Sequence, residues 1–214
     1  MNLIFLGAPG SGKGTQAKML QKHLGVNTIS TGEALRKEVL NQSEIGKLAK
    51  SYMDSGKLVP DEVVVGIIKN TIISPQFAKG FILDGFPRNI SQAEELDKMM
   101  ESLAKKIDIV FNFQVEDEIL IKRISGRFSC KSCGSVYNHY FRPTKKEGFC
   151  DDCNGSEFES RADDNFETVK DRLQVYYQSS FPLIEFYKKK KLLIEINALK
   201  MAPLIFEDLL SSIN

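Results

Sequence analysis

The sequence predicts an α/β fold: a parallel sheet flanked by helices and interrupted by two inserts. Three observations carry that expectation. Short, continuous apolar runs alternate along the chain with segments of helical periodicity. The first run leads directly into a glycine-rich loop, "GAPGSGKGT", from Gly7 to Thr15. Two segments break the alternation, and one of them holds all four cysteines, between Cys130 and Cys153.

The elements follow in order. "NLIFL" (Asn2 to Leu6) is an apolar run bounded by glycine, which suits a strand buried on both faces. Ala17, Leu20 and Leu24 then recur at helical spacing, and Gly25 offers a stop. Strand, loop and helix open a βαβ unit. "GFILDG" (Gly80 to Gly85) reads as a second buried strand ending at Asp84, "DIVFNFQV" (Asp108 to Val115) as a third, and "KLLIEIN" (Lys191 to Asn197) as another. Helical patterns cover Asp61 to Ile72, Ser91 to Leu103, Glu116 to Ser125, and a long stretch from Asp164 to about Tyr187. Asp164 with Glu167 three residues on predicts a capping box, and Pro182 a kink or stop. The two inserts are Ser30 to Val59, helical with no obvious strand, and Phe128 to Ser160, polar and weakly periodic. "KKKK" (Lys188 to Lys191) reads as a solvated helix end.

A chain of 214 residues makes one sizeable domain with room for small inserts. A net charge of +1 supplies no global field for nucleic acid or membrane. The N-terminal apolar run is too short for a signal peptide, and no stretch approaches the roughly 18 apolar residues of a span. These features predict a cytoplasmic protein. Thiols stay reduced there, so the cysteines point to a metal rather than to disulfides.

The glycine loop is a phosphate cradle. Gly10, Gly12 and Gly14 let backbone N–H groups of Gly10 to Thr15, with Ser11 among them, turn toward an anion, and the helix start adds partial positive charge. Lys13 reaches the phosphates as a mobile cation. A plain glycine turn does not explain a lysine and a proline at these offsets. The position after Lys13 normally carries the hydroxyl that holds magnesium, yet here it is Gly14. Mg2+ must then depend on phosphate oxygens, water, Thr15 and a distant carboxylate. Asp84 is the candidate, its other role being to cap the turn "DGFPR".

"CKSC" and "CDDC" place Cys130, Cys133, Cys150 and Cys153 as C-x2-C, sixteen residues, C-x2-C. That spacing matches a tetrahedral four-thiolate Zn2+ site. A closed shell leaves no open position for water, so the metal is structural and holds together an insert too small to fold by burial. Lys131, Arg142, Lys145 and Lys146 are offset by Glu147, Asp151, Asp152, Glu157 and Glu159, which argues against nucleic-acid binding.

"GAPGSGKGT", "STGEALR", "DGFPRNISQ" and "RADDNFETVKDRL", in this order, resemble adenylate kinase over nearly the whole chain. The resemblance implies that MgATP and AMP give two ADP, in a monomer, for adenine nucleotide homeostasis. It implies a core of residues 1–29, 60–121 and 162–214, an AMP-binding segment over 30–59 and a lid over 122–161. Thr31, Arg36, Gly85, Arg88 and Gln92 would meet AMP, with backbone around Lys57 to Val59 closing on the base. Lys13, Arg88, Arg123, Arg127, Arg161 and Arg172 would surround the phosphoryl group, Arg161 and Arg172 also touching AMP. Arg123, Arg127 and Lys200 would belong to the ATP side, Arg127 near base or ribose. Arginine suits the task because its fork binds two oxygens and stays charged. Arg123 and Arg127 stand four apart, which a helix would bring to one face, and Arg161 and Arg172 eleven apart, about three turns. No general base is required, since the AMP phosphate is already anionic; His23 and His139 read as structural or exposed. Two flaps that close on bound substrates would exclude water. Gly46, Gly56, Gly126, Gly134 and Gly148 are candidate hinges.

Three positions depart from the family pattern: Phe128 where a second arginine is common, Asn138 where Tyr137 would precede histidine, and Asn197-Ala198 in place of Asp-Gly. Phe128 would remove a positive contact or add an apolar one near the ATP base. Thr31 with Gln92 points to AMP over UMP or CMP. Two other classes fit less well: a nucleotide-switch GTPase or ATPase, for which N-K-x-D is absent, and a zinc-ribbon nucleic-acid binder.

Overall fold

The computed structural model describes residues 1–161 and 163–213. Ala162 and Asn214, the ends of the last expected core segment, lie outside the described residues. β1 (Asn2–Gly7) leads through the glycine loop to α1 (Lys13–Leu24), which stops at Gly25 with φ 65°. β2 (Asn27–Ser30), α2 (Thr31–Leu40) and α3 (Glu44–Asp54) follow. α4 (Asp61–Ile72) and a short 3-10 turn precede β3 (Phe81–Asp84). Then come α5 (Ile90–Ser102), β4 (Ile109–Gln114) and α6 (Asp117–Ser125). β5 (Arg127–Cys130), β6 (Val136–Asn138) and β7 (Phe158–Glu159) form a small antiparallel sheet ordered β6-β5-β7. The chain returns through α7 (Phe166–Val175), a π-helical turn over Tyr176–Ser180, α8 (Pro182–Lys189), β8 (Leu193–Asn197) and α9 (Ala202–Ile213).

The main sheet is parallel throughout, in the order β2-β3-β1-β4-β8. Successive side chains point to opposite faces, and both faces are covered. Leu3, Phe5, Ile82, Phe111 and Phe113 pack on Ala17 and Leu20 of α1 and on Ile205 and Leu209 of α9. Ile4, Leu6, Phe81, Leu83 and Val110 pack on Ile68 of α4, Leu96 of α5 and Tyr187 of α8. Two-sided burial is why these strands read as unbroken apolar runs. The register sets Phe5 and Ser30 on either side of Asp84, so β1, β2 and β3 end together beside the glycine loop.

Several features differ from the sequence expectations. β2 was not anticipated: only Ile29 of its four residues is fully buried, and an edge strand that short leaves little pattern. The Asp164/Glu167 capping box is replaced by Asn165, whose side chain accepts the Thr168 N–H at 3.0 Å, and the helix starts at Phe166. The long helix is broken by the π-helical turn, with Pro182 at the first turn of α8, where its missing N–H costs nothing. Gly46 is no hinge: a Cβ there would lie 2.0 Å from the Glu38 carbonyl oxygen, so glycine is what lets α3 approach α2. No pattern above pointed to α9, although Ile205 and Leu209 stand one turn apart.

Leu209 is fully buried. Leu209→Ala is expected to lower stability by about 2–5 kcal/mol, read as a lower denaturant midpoint, with phosphoryl transfer retained at temperatures where the fold persists.

Candidate active site

The carboxyl edge of the sheet gathers the chemistry, as open α/β sheets generally do. Lys13 opens α1 and turns its amine back over the loop, donating to the carbonyls of Gly7 (2.7 Å) and Ala8 (2.8 Å) and to Ser11 Oγ (3.2 Å). Burial lowers its pKa to about 8, and nearby Arg88, Arg172 and Arg127 push the same way while Asp84 opposes them. A Cβ at Gly14 would stand 3.4 Å from Asp84 Oδ2, so the carboxylate lies against the start of the helix. Burial raises the Asp84 pKa, and Lys13 and Arg88 counter it.

Arg88 follows β3. Its Nε donates to the Gly85 carbonyl at 2.8 Å, and Thr31 Oγ1 donates to that same oxygen at 2.7 Å. Gly85 has φ 80°, and a Cβ would fall 3.0 Å from Thr31 Oγ1, so only glycine fits. Ser180, on the π-helical turn, donates to the Arg88 carbonyl at 2.7 Å. Gln92 is 1% exposed; its Oε1 accepts the Arg88 N–H at 2.8 Å and its Nε2 donates to Asp61 Oδ1 at 2.7 Å.

Two carboxylates anchor two of the arginines. Asp164 receives both arms of Arg127, at 2.7 and 2.5 Å, in a bidentate fork. Arg172 reaches Asp163 Oδ2 at 2.9 Å and the Asp163 carbonyl at 3.0 Å. Arg36 and Arg161 belong to the same field. Burial lowers both, Asp163 raises both, and Arg127 opposes the charge on each. Burial first, and then neighbouring cations, bring Arg88 and Arg161 down to about 10. Lys13, Arg36, Arg88, Arg127, Arg161 and Arg172 therefore share one field with four acids, Glu33, Asp84, Asp163 and Asp164. Cations crowded beyond their counter-charges are a site built for an anion.

The 122–161 segment carries four thiols whose sulfurs all lie within 4.8 Å of one another. Cys130 and Cys153 are 3.6 Å apart, and Cys133 and Cys150 3.5 Å. These are free cysteines, far beyond the ~2 Å of a disulfide, and a tetrahedral ion with ~2.3 Å bonds to sulfur fits between them. Two matching turns hold them. Gly134 N–H returns to the Cys130 carbonyl and Asn154 N–H to the Cys150 carbonyl, with φ 70° and 59°. Burial resists ionisation of Cys150, but donation from Tyr137 and from the backbone of Asp152 and Cys153 draws its thiol down to about 6. The donor set is that of a thiolate metal site.

A family model described as adenylate kinase matches residues 5–192. An adenylate kinase of Caldicellulosiruptor saccharolyticus is 54% identical over 91% of this chain and 90% of its own length. That of Archaeoglobus fulgidus is 52% identical over 94% and 92%, and that of Enterococcus faecalis 48% over 97% and 96%. The chain belongs to the adenylate kinase family. It is a phosphotransferase acting between ATP and AMP.

For an adenylate kinase, the placement of the remaining expected residues matters. Arg123 and Arg127 do not share a helix face: α6 ends at Gly126, and Arg127 opens β5. Arg127 goes to the cation cluster, whereas Arg123 donates to the Ala198 carbonyl at 2.9 Å and is lowered by burial alone. Arg161 and Arg172 likewise do not share a helix, since α7 starts after Arg161. Lys57 N–H closes α3 on the Tyr52 carbonyl, and neighbouring Gly56 packs against Arg172 Cγ. Val59 is buried in the core. The Lys200 amine pairs with Asp208 on α9, 2.6 Å away. Asn197 Oδ1 accepts the Leu199 N–H, closing that loop on itself. Phe128 lies 4.5 Å from the His139 ring and packs with Tyr137 and Phe158 in the small antiparallel sheet. Its apolar contact is thus spent there. Asn138 ties the Arg123 carbonyl to the turn at Tyr140 and Phe141. His23 and His139 are exposed. Among the described residues no helix is long and apolar enough to cross a membrane. Asp61, Asn89 and Ser180 escaped the sequence reading; each is a short polar residue at or beside a helix end, a position that by itself signals only capping.

Lys13 works as a cation, and its depressed pKa means the charge is complete well below pH 8 and lost above it. The kcat/KM for ATP, which reports the free enzyme, is expected to fall as pH rises through about 8. Bound phosphates restore the charge, so kcat should hold to higher pH. Parallel profiles for the two quantities would contradict this.

Proposed function

We propose that the chain catalyses MgATP + AMP ⇌ 2 ADP through the cation cluster, with the residue roles set out here. The observation that carries the reading is the crowding of six cations, two of them arginines held at about 10. ATP lies with its phosphates on the loop from Gly10 to Thr15 and on Lys13. Its base sits between Arg123 and the loop of Asn197, Ala198 and Lys200, a role favoured by the Arg123–Ala198 bond. AMP enters from the side of Thr31, Arg36, Gly85, Arg88 and Gln92, with the backbone around Lys57 to Val59 closing on its base. An AMP phosphate oxygen attacks the γ-phosphorus, the bond from phosphorus to the β–γ bridging oxygen breaks, and ADP departs. Arg88, Arg127, Arg161 and Arg172 neutralise the equatorial oxygens of the moving group.

When bound, Mg2+ neutralises charge between the ATP phosphates. Asp84, beside Gly14, would hold its water. Residues 30–59 and 122–161 act as flaps on a core formed by the rest, and Zn2+ on Cys130, Cys133, Cys150 and Cys153 stiffens the second flap. A reducing cytoplasm suits four free thiols, and a monomer suffices because every named residue comes from one chain.

Coupled assays with AMP, UMP, CMP and GMP as acceptors test the reading, and turnover should be confined largely to AMP. Arg88→Ala is expected to cut AMP-dependent turnover by about 10²–10³-fold, with ATP binding retained; unchanged turnover removes Arg88 from the site. Replacing Cys130 and Cys133 together by serine should lower the melting temperature more than the rate per folded molecule. A normal melt with turnover abolished would refute the structural role of the metal.

A further inference from the structure

Asp61 has no part in the reading above, yet it sits at its edge. It opens α4, and its carboxylate accepts both from Gln92 Nε2 at 2.7 Å and, with both oxygens at 3.0 Å, from Asn89 Nδ2. Asn89 in turn caps α5 by accepting the Gln92 N–H at 2.8 Å. Gln92 is therefore gripped at its backbone and at both ends of its amide.

A side-chain amide has two faces of opposite sense, and ordinarily either end can point either way. Here the partners decide. An ionised carboxylate can only accept, so the NH2 end must face Asp61. A backbone N–H can only donate, so the oxygen end must face Arg88 N. Turning the amide over would set N–H against N–H and oxygen against carboxylate, inside a site where Gln92 is 1% exposed and water cannot compensate. Each bond uses one donor and one lone pair, leaving one of each to meet a ligand. Adenine offers an amine donor beside a ring-nitrogen acceptor. The 6-oxo base of IMP offers a carbonyl acceptor beside an N–H donor, the reverse order.

We infer that Asp61 is a specificity-determining residue: together with the Arg88 N–H it fixes the polarity of the Gln92 amide, so that the acceptor site reads a 6-amino purine and rejects a 6-oxo purine. It acts through Gln92 and is a positioning residue. The inference rests on Gln92 meeting the acceptor base.

The test compares kcat/KM for AMP and for IMP at saturating ATP in the full-length, zinc-loaded enzyme. Asp61→Asn keeps the shape but can donate as well as accept, so only the Arg88 N–H still opposes a turned-over amide. The AMP-to-IMP ratio is expected to narrow about tenfold, the order of one hydrogen bond to a charged group, while KM for ATP stays unchanged. Asp61→Ser carries the same expectation should Asp61→Asn lose the fold. Leu209→Ala, buried on α9 and touching neither Gln92 nor Asp61, should melt lower yet keep the ratio; this separates positioning from general loosening. A ratio that survives both Asp61 variants while Gln92→Leu narrows it overturns the role of Asp61. A ratio that survives Gln92→Leu instead overturns the reading of Gln92 as the base contact.

Discussion

The structure depends on holding like charges together. Lys13, Arg36, Arg88, Arg127, Arg161 and Arg172 repel one another in a partly desolvated space. Asp163 and Asp164 offset part of that repulsion: Asp164 takes the fork of Arg127, and Asp163 takes Arg172. Asp84 steadies Lys13 from the other side. The remainder is relieved only by an anion. A site that is electrostatically incomplete without phosphate stabilises a transferring phosphoryl group strongly, since its donors need no reorganisation when charge develops.

The sheet exists, in functional terms, to deliver these groups to one edge. Parallel strands all end on the same side, so β1 presents the glycine loop, β2 presents Thr31 and β3 presents Asp84, Gly85 and Arg88. Neither insert could form a core of its own size. The 30–59 segment leans on Val59 and Leu35 in the main core. The 122–161 segment has only a small cluster around Tyr137, Phe128 and Phe158, and its four clustered thiols could hold a metal where burial is scarce.

Legibility in the sequence followed burial and covalent spacing. Strands covered on both faces stand out as apolar runs, as in β1, β3 and β4; the edge strand β8 was readable too, because Leu193, Ile194 and Ile196 keep an apolar pattern. The edge strand β2 was not, since Ile29 is the one apolar residue among its four. The glycine loop and the cysteine pairs act locally, through backbone shape and ligand bite, so a few neighbouring residues suffice to display them. Helical spacing misled for the arginines, because Gly126 ends α6 between Arg123 and Arg127 and α7 begins only after Arg161.

By itself the sequence determined the α/β alternation, the phosphate loop with its missing hydroxyl at Gly14, the four-cysteine site and, through combined motifs, the family. Those properties are written in short segments whose chemistry does not depend on distant parts of the chain. Only the tertiary structure decided that Arg127 joins the cluster while Arg123 turns toward Ala198, that Phe128 packs within the small antiparallel sheet, and that Asp61 faces a glutamine 31 residues away. Charge coupling and hydrogen-bond direction are relations between groups in space, and no residue carries them alone.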